Sequence, residues 1–188
     1  MASKRNASKE KKINPHFWVF CEGETEEAYV CLLRSKYRIP IEIVPKIVGN
    51  KITQRIIKNS KQGKPTHDKD KDFLMYDADV IQVLEKLKSI KSTILIASNP
   101  SIELWFLLHY KTQTAHITTA KCIQELSNRN RNTYKKGVID AQLEIRLSEN
   151  CTKACERAEK LSRLDNPSSN MNDFIEELEN VKKLSIKT

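Results

Sequence analysis

The sequence predicts an α/β domain with a largely parallel sheet, and three observations carry that expectation. Apolar runs rich in β-forming residues alternate with stretches of helical spacing four times over before His109, as repeated strand–helix–strand units do. The runs are continuously apolar, which is how strands buried on both faces read. The chain has 188 residues, enough to bury one sizeable core and hardly two.

The first run, Phe17-Trp18-Val19-Phe20-Cys21, stops at Glu22-Gly23, and a helix follows over 24–37 with Ala28, Cys31 and Leu32 on one side. Thr25 is placed to cap this helix, and Glu26 and Glu27 suit the positive end of its dipole. A second strand is expected over 41–48. Pro45 inside it argues for an edge position or a bulge. Gly49-Asn50 turns the chain into a helix carrying Ile52, Ile56 and Ile57, and 58–72 reads as a charged loop with Gly63 and Pro65. Phe73-Leu74-Met75-Tyr76 is the third strand, running into Asp77-Ala78-Asp79. A helix over 80–90 and a fourth strand over 93–97 come next, ended by Ser98-Asn99-Pro100. Ser101 is expected to cap the following helix, which is apolar nearly all round from Ile102 to Leu108 and therefore buried.

Beyond His109 the chain is polar and helical, over roughly 118–127, 140–147, 151–163 and 171–184. The domain plan is a disordered basic tail over 1–16, an α/β core over 17–112 and a helical extension over 113–188 packed on the core.

Lys and Arg number 33 against 24 Asp and Glu, a net charge of +9 and a pI near 9.3. That balance favours polyanionic partners, although a solvated lysine face produces the same number. The N-terminus lacks the apolar stretch of a secretory signal, and no apolar run approaches the ~20 residues of a membrane span. Five cysteines stand singly without a CxxC pair, which argues against a zinc ribbon or a disulfide framework and points to a reducing cytoplasm. No P-loop, GxGxxG or Ser-His-Asp pattern is present, so nucleoside triphosphate hydrolysis by this chain is not expected.

In a parallel sheet the strand C-termini share one edge, where sites form. Three of the four expected strands end there in acidic or polar residues: Glu22 after the first, Asp77 and Asp79 after the third, Ser98 and Asn99 after the fourth. Converging carboxylates repel unless protons or a cation sit between them, and oxygen-rich clusters suit Mg²⁺ or Mn²⁺. The plain alternatives are an Asx turn and a helix cap for Asp77 and Asp79, and a strand-to-helix turn for Glu22-Gly23. Glu103 lies in the apolar helix and needs a cation or hydrogen-bond donors if buried, unless it only complements the helix dipole. His109 reads as a helix C-cap or a core histidine.

The segments from Phe20 to Tyr29, Tyr76-Asp77-Ala78-Asp79 and Ser98-Asn99-Pro100-Ser101-Ile102-Glu103-Leu104-Trp105-Phe106-Leu107-Leu108-His109 resemble the RloB family. Tyr134-Lys135-Lys136-Gly137 and Asn166-Pro167-Ser168-Ser169 extend the likeness in the same order. The resemblance implies a Toprim-like core and a Mg²⁺- or Mn²⁺-dependent nuclease of a prokaryotic anti-phage system, often beside an ABC- or AAA-type ATPase. By position it makes Glu22 a general acid/base or metal ligand and Asp77 and Asp79 metal ligands, with Glu26 and Glu103 as further site acids and Gly23, Ser98 and Asn99 lining the site. Arg129, Arg131, Lys135 and Lys136 are expected to hold the DNA or RNA backbone. One departure is Val80, where the family often continues with another acid. The alternatives are a non-catalytic nucleic-acid-binding or regulatory subunit of a defence ATPase, and nucleotidyl transfer of the primase kind. Homo-oligomer formation is left open.

Overall fold

The computed structural model describes residues 15–39 and 42–186. The expected disordered tail lies almost wholly outside them. Five strands form one sheet in the order β2-β1-β3-β4-β5. The first four are parallel: β1 (His16–Cys21), β2 (Glu42–Ile47), β3 (Lys71–Asp77) and β4 (Ile94–Asn99). The α/β class with a mainly parallel sheet is therefore as the apolar runs foretold. β2 is an edge strand, and Pro45, paired with Val19, is tolerated there because an edge leaves one side of the backbone unpaired. The fifth strand, β5 (Ser168–Ser169), is antiparallel to β4 and lies in a stretch read from sequence as a linker. Two residues with no apolar alternation give no strand signal. Ser98 and Ser169 hydroxyls meet at 2.9 Å across this pair, and the Asn99 amide donates to the Leu164 carbonyl.

Side-chain alternation along β1 and β3 sorts the core into two layers. Phe17, Val19, Cys21, Phe73 and Met75 face one way. They pack on α1 (Glu24–Tyr37), α4 (Ile102–Leu108) and the C-terminal helices α5 (Thr119–Asn130), α6 (Ala141–Glu149), α7 (Cys151–Glu159) and α8 (Met171–Ile186). Trp18, Phe20, Leu74 and Tyr76 face the other way. Against them lie Ile52 and Ile57 from the short 3₁₀ turn and α2 (Gln54–Lys61), and Leu87 from α3 (Ile81–Ser89). α2 and β3 both run further into the expected 58–72 loop than its charge suggested. Thr53 starts α2 by accepting the Ile56 amide hydrogen, and β3 begins at Lys71. The helical extension is packed on the sheet, with Phe174 of α8 edge-on to Phe73 at 4.8 Å.

Candidate active site

Parallel pairing aligns Cys21 with Met75 and Asp77 with Ser98, so the turns after β1, β3 and β4 open on one edge. Glu22 leaves β1 there. Its amide still donates to the Met75 carbonyl at 3.1 Å, and its Oε2 accepts the Asp77 amide hydrogen at 3.0 Å. Asp77, the last residue of β3, accepts the Ile102 amide hydrogen on Oδ1 at 3.0 Å. Here the expected cap changes hands. Ser101 occupies the N-cap position of α4, but its hydroxyl donates to Glu103 at 2.6 Å, and the carboxylate of the neighbouring strand serves the helix end instead.

A similar exchange occurs at α1. Gly23, not Thr25, is the N-cap residue, and Glu26 Oε2 reaches back to accept the Gly23 amide hydrogen at 3.0 Å. That freed Thr25 to accept the Gly137 amide hydrogen at 2.9 Å. The contact anchors the loop carrying Tyr134 and Lys136 over the site. Gly137 has φ +75°, and a Cβ there would come within 3.2 Å of the Glu24 side chain. Both its conformation and the closeness of the α1 first turn require glycine.

Glu103 is completely buried. It is satisfied by the Ser101 hydroxyl on one oxygen and, on the other, by the Tyr134 hydroxyl at 3.1 Å and the Lys136 ammonium at 3.8 Å. This answers the question its sequence setting raised: it has both donors and a cation. Burial and the Glu103 carboxylate push the Tyr134 phenol up, so Tyr134 stays a proton donor at any ordinary pH.

Glu22, Glu24, Glu26, Asp77 and Glu103 together line a cavity of about 340 Å³, with Lys136 the one cation among the described residues in its wall and Gly23, Thr25, Ile102 and Gly137 beside it. Five carboxylates against one ammonium leave the cavity strongly electronegative. Burial, followed by the charges of Glu26, Glu22 and Glu103, pushes Asp77 up to about 9. Burial also raises Glu26, with Glu103 and Glu22 adding to it. A proton or another cation is what such a cluster draws in.

The structure thus unites Glu22, Gly23, Glu26, Asp77, Glu103 and Lys136. It does not bring in the others. Asp79 is exposed, beyond the end of β3, and is not among the residues lining the cavity. Ser98 and Asn99 belong to the β4–β5 junction. Arg129, Arg131 and Lys135 are exposed, and Arg129 is paired with Glu125 at 3.5 Å. Sequence reasoning missed Thr25 as an anchor and Tyr134 as the hydroxyl on Glu103. Tyr134 stands in the motif-like Tyr134-Lys135-Lys136-Gly137, where a signal was present but had no assigned partner. His109 is a core histidine at the α4 C-cap, its Nδ1 2.9 Å from the Trp105 carbonyl.

The donor set bears on a divalent ion in a specific way. Among the described residues no group of three or more His, Cys, Asp or Glu side chains is arranged to hold a metal, so a closed carboxylate cage is absent there. Mg²⁺ typically takes only one or two carboxylates and keeps several waters, and the carboxylates of Glu22 and Asp77 lining this cavity fit that form.

Fold and site define a class: an α/β domain with an acidic cavity at the C-terminal edge of its parallel strands. The family model described as RloB-like protein matches residues 17–178, and the chain belongs to that family. Its core is a mainly parallel five-stranded α/β sheet, with Glu22 after β1 and Asp77 at the end of the adjacent β3. Neither the curated proteins nor the solved structures contain a match to this chain. Among the described residues no helix is long and apolar enough to cross a membrane.

Proposed function

We propose that this chain is a Mg²⁺- or Mn²⁺-dependent nuclease that hydrolyses phosphodiesters of DNA or RNA in a prokaryotic anti-phage system. One observation carries the reading: Glu22, Glu26, Asp77 and Glu103, from three separate segments, line one cavity, where burial and then the other three carboxylates raise the proton affinity of Asp77. Glu22 and Asp77 would hold the ion, which supplies charge stabilisation at the phosphate and a more acidic bound water. Glu26, its proton affinity raised by burial, suits proton exchange with the attacking water. Lys136, more than half exposed at the cavity wall, is placed to meet a phosphate oxygen. Tyr134 and Ser101 hold Glu103 still, which in turn fixes where Lys136 sits.

A second reading has its own support. Each of Glu22, Glu26, Asp77 and Glu103 already accepts a hydrogen bond from backbone or hydroxyl, as acids kept for structure would. Under that reading the chain is a nucleic-acid-binding or regulatory subunit of an ABC- or AAA-type defence ATPase. Incubating wild type and Asp77→Ala with plasmid DNA and total RNA, with and without Mn²⁺, separates the two. Mn²⁺-dependent cleavage by wild type alone supports the nuclease. Intact substrates in every lane support the subunit.

A further inference from the structure

The connection between β2 and β3 has a charge pattern that the acidic cavity does not explain. From Val48 to His67 it carries Lys51, Arg55, Lys58, Lys61 and Lys64 and not one Asp or Glu. Several cations elsewhere are held by acids. Lys71 pairs with Glu177, Arg163 with Asp173, and Lys111, Lys121 and Arg129 all share Glu125. In the crossover only Lys61 is matched, by Asp72 at 2.8 Å. Lys51, Arg55, Lys58 and Lys64 are exposed, and among the described residues none has an acidic partner.

Their placement is ordered. Arg55 and Lys58 are one helical turn apart on α2, and Lys51 ends the 3₁₀ turn just before it, across the non-helical Ile52 and Thr53. The turn that ends in Lys51 lies against the backbone of the first site residues. The Val48 amide donates to the Cys21 carbonyl at 2.9 Å, and the Gly49 α-carbon sits against the Glu22 backbone, a Cβ there falling 3.6 Å from the Glu22 carbonyl. The Tyr76 hydroxyl and the Lys86 ammonium fasten the Gly49 and Asn50 carbonyls. From there α2, about 12 Å long at eight residues, leads away toward the start of β3, where Lys61 meets Asp72. Beside it lies a cleft of about 630 Å³, lined in part by Gln54, Asn59, Gln62 and Thr66 along with Lys58. Its amides and hydroxyl can donate to and accept from a base edge, and Lys58 can meet a phosphate, while the one acid among the described residues of the lining, Asp72, is already paired with Lys61.

An anionic membrane would also attract this charge. A helix that lies on a membrane needs its apolar face free to enter the lipid, and that face of α2 is already spent: Ile57 is buried and Ile56 packs on the Trp18–Phe20 layer. We propose that Lys51, Arg55 and Lys58 form a phosphate track that holds the polynucleotide strand leading to the carboxylate cavity. This rests on the nuclease reading for what lies at its end, though binding along the track needs no cleavage.

The test is fluorescence anisotropy of labelled single-stranded RNA and DNA in EDTA across a salt series. It compares wild type, Lys51→Ala/Arg55→Ala/Lys58→Ala, the charge-keeping Lys51→Arg/Lys58→Arg, and Arg129→Ala/Arg131→Ala/Lys135→Ala. Thermal melts confirm that each variant is folded. The crossover triple is expected to weaken binding by about tenfold or more and to flatten the salt slope by about 2, as loss of three single-strand phosphate contacts predicts. The charge-keeping variant is expected to stay within about twofold of wild type, since a phosphate contact needs charge before shape. Wild-type affinity in the crossover triple, loss confined to the α5 triple, or no binding by wild type would each overturn the track. So would a crossover defect seen on phosphatidylserine vesicles but not on oligonucleotide. Wild type that binds through the crossover but never cleaves with Mn²⁺ leaves the track standing and removes the nuclease. Cleavage by wild type with unaltered binding by the crossover triple does the reverse.

Discussion

The two faces of the sheet use the same strands for opposite ends. On the α2–α3 side the interior is dry: Trp18, Phe20, Leu74, Tyr76, Ile52 and Ile57 pack together, and charge stays outside as the crossover cations. On the α1–α4 side the layer ends at the strand C-termini in buried Glu26 and Glu103, with Asp77 beside them. Such burial is tolerable because donors were built in: the Gly23, Asp77 and Ile102 amides, the Ser101 and Tyr134 hydroxyls and the Lys136 ammonium. The difference teaches that the acidic cavity is held by its hydrogen bonds, while the opposite layer is held by apolar contact. Substitutions should therefore separate: one face loses chemistry, the other loses stability.

The sharpest separation comes from Asp77→Asn, which keeps the acceptor for Ile102 but removes the charge. Nuclease turnover is expected to fall by about a thousandfold, the scale of losing a main electrostatic element of a phosphoryl site. The metal-free fold is expected to gain stability at pH 8, because wild type must take up a proton on Asp77 to fold at that pH and the asparagine need not. A turnover near wild type would break the comparison. On the other face, Phe20→Ala is expected to cost about 3–5 kcal/mol in urea unfolding while cleavage by the folded fraction stays unchanged. A loss of specific activity there would mean that the two layers are not independent.

Tyr134→Phe lies between these extremes. It removes one donor from a fully buried carboxylate, at a cost of about 1.5–3 kcal/mol, with turnover falling through displacement of Lys136. The remaining test is a dependence on pH. The folded chain holds a proton on Asp77 up to about 9, whereas the unfolded group releases it near 3.8. Its contribution to stability is thus full below about pH 4 and declines as pH rises through 9. Melting temperatures of metal-free wild type are expected to fall across that window, and those of Asp77→Asn to fall less. Parallel curves would remove Asp77 as the source.

Much of this contrast was legible in the residues. The continuous runs from Phe17 and Phe73 announced buried parallel strands, and that topology alone places Glu22 and Asp77 on one edge. Glu103 declared itself as a carboxylate amid Ile102, Leu104 and Trp105. What the sequence hid were exchanges between distant segments. Thr25 looked like a cap, yet a loop 112 residues away claims its hydroxyl. Ser101 also looked like a cap, and its hydroxyl serves Glu103 while Asp77 takes the helix end. Asp79 shares a motif with Asp77 but lies past the point where the sheet fixes direction. The basic crossover read as a helix followed by a charged loop over 58–72, and nothing in composition says which of its lysines will find an acid.

Manganese binding tests the central claim most directly. Titrating Mn²⁺ into the protein and following free ion by electron paramagnetic resonance should show one bound ion per chain for wild type. That site should be lost in Asp77→Asn and in Glu22→Gln, and kept in Phe20→Ala. Equal Mn²⁺ uptake by all four proteins, or none by wild type, would contradict a cation site built from Glu22 and Asp77.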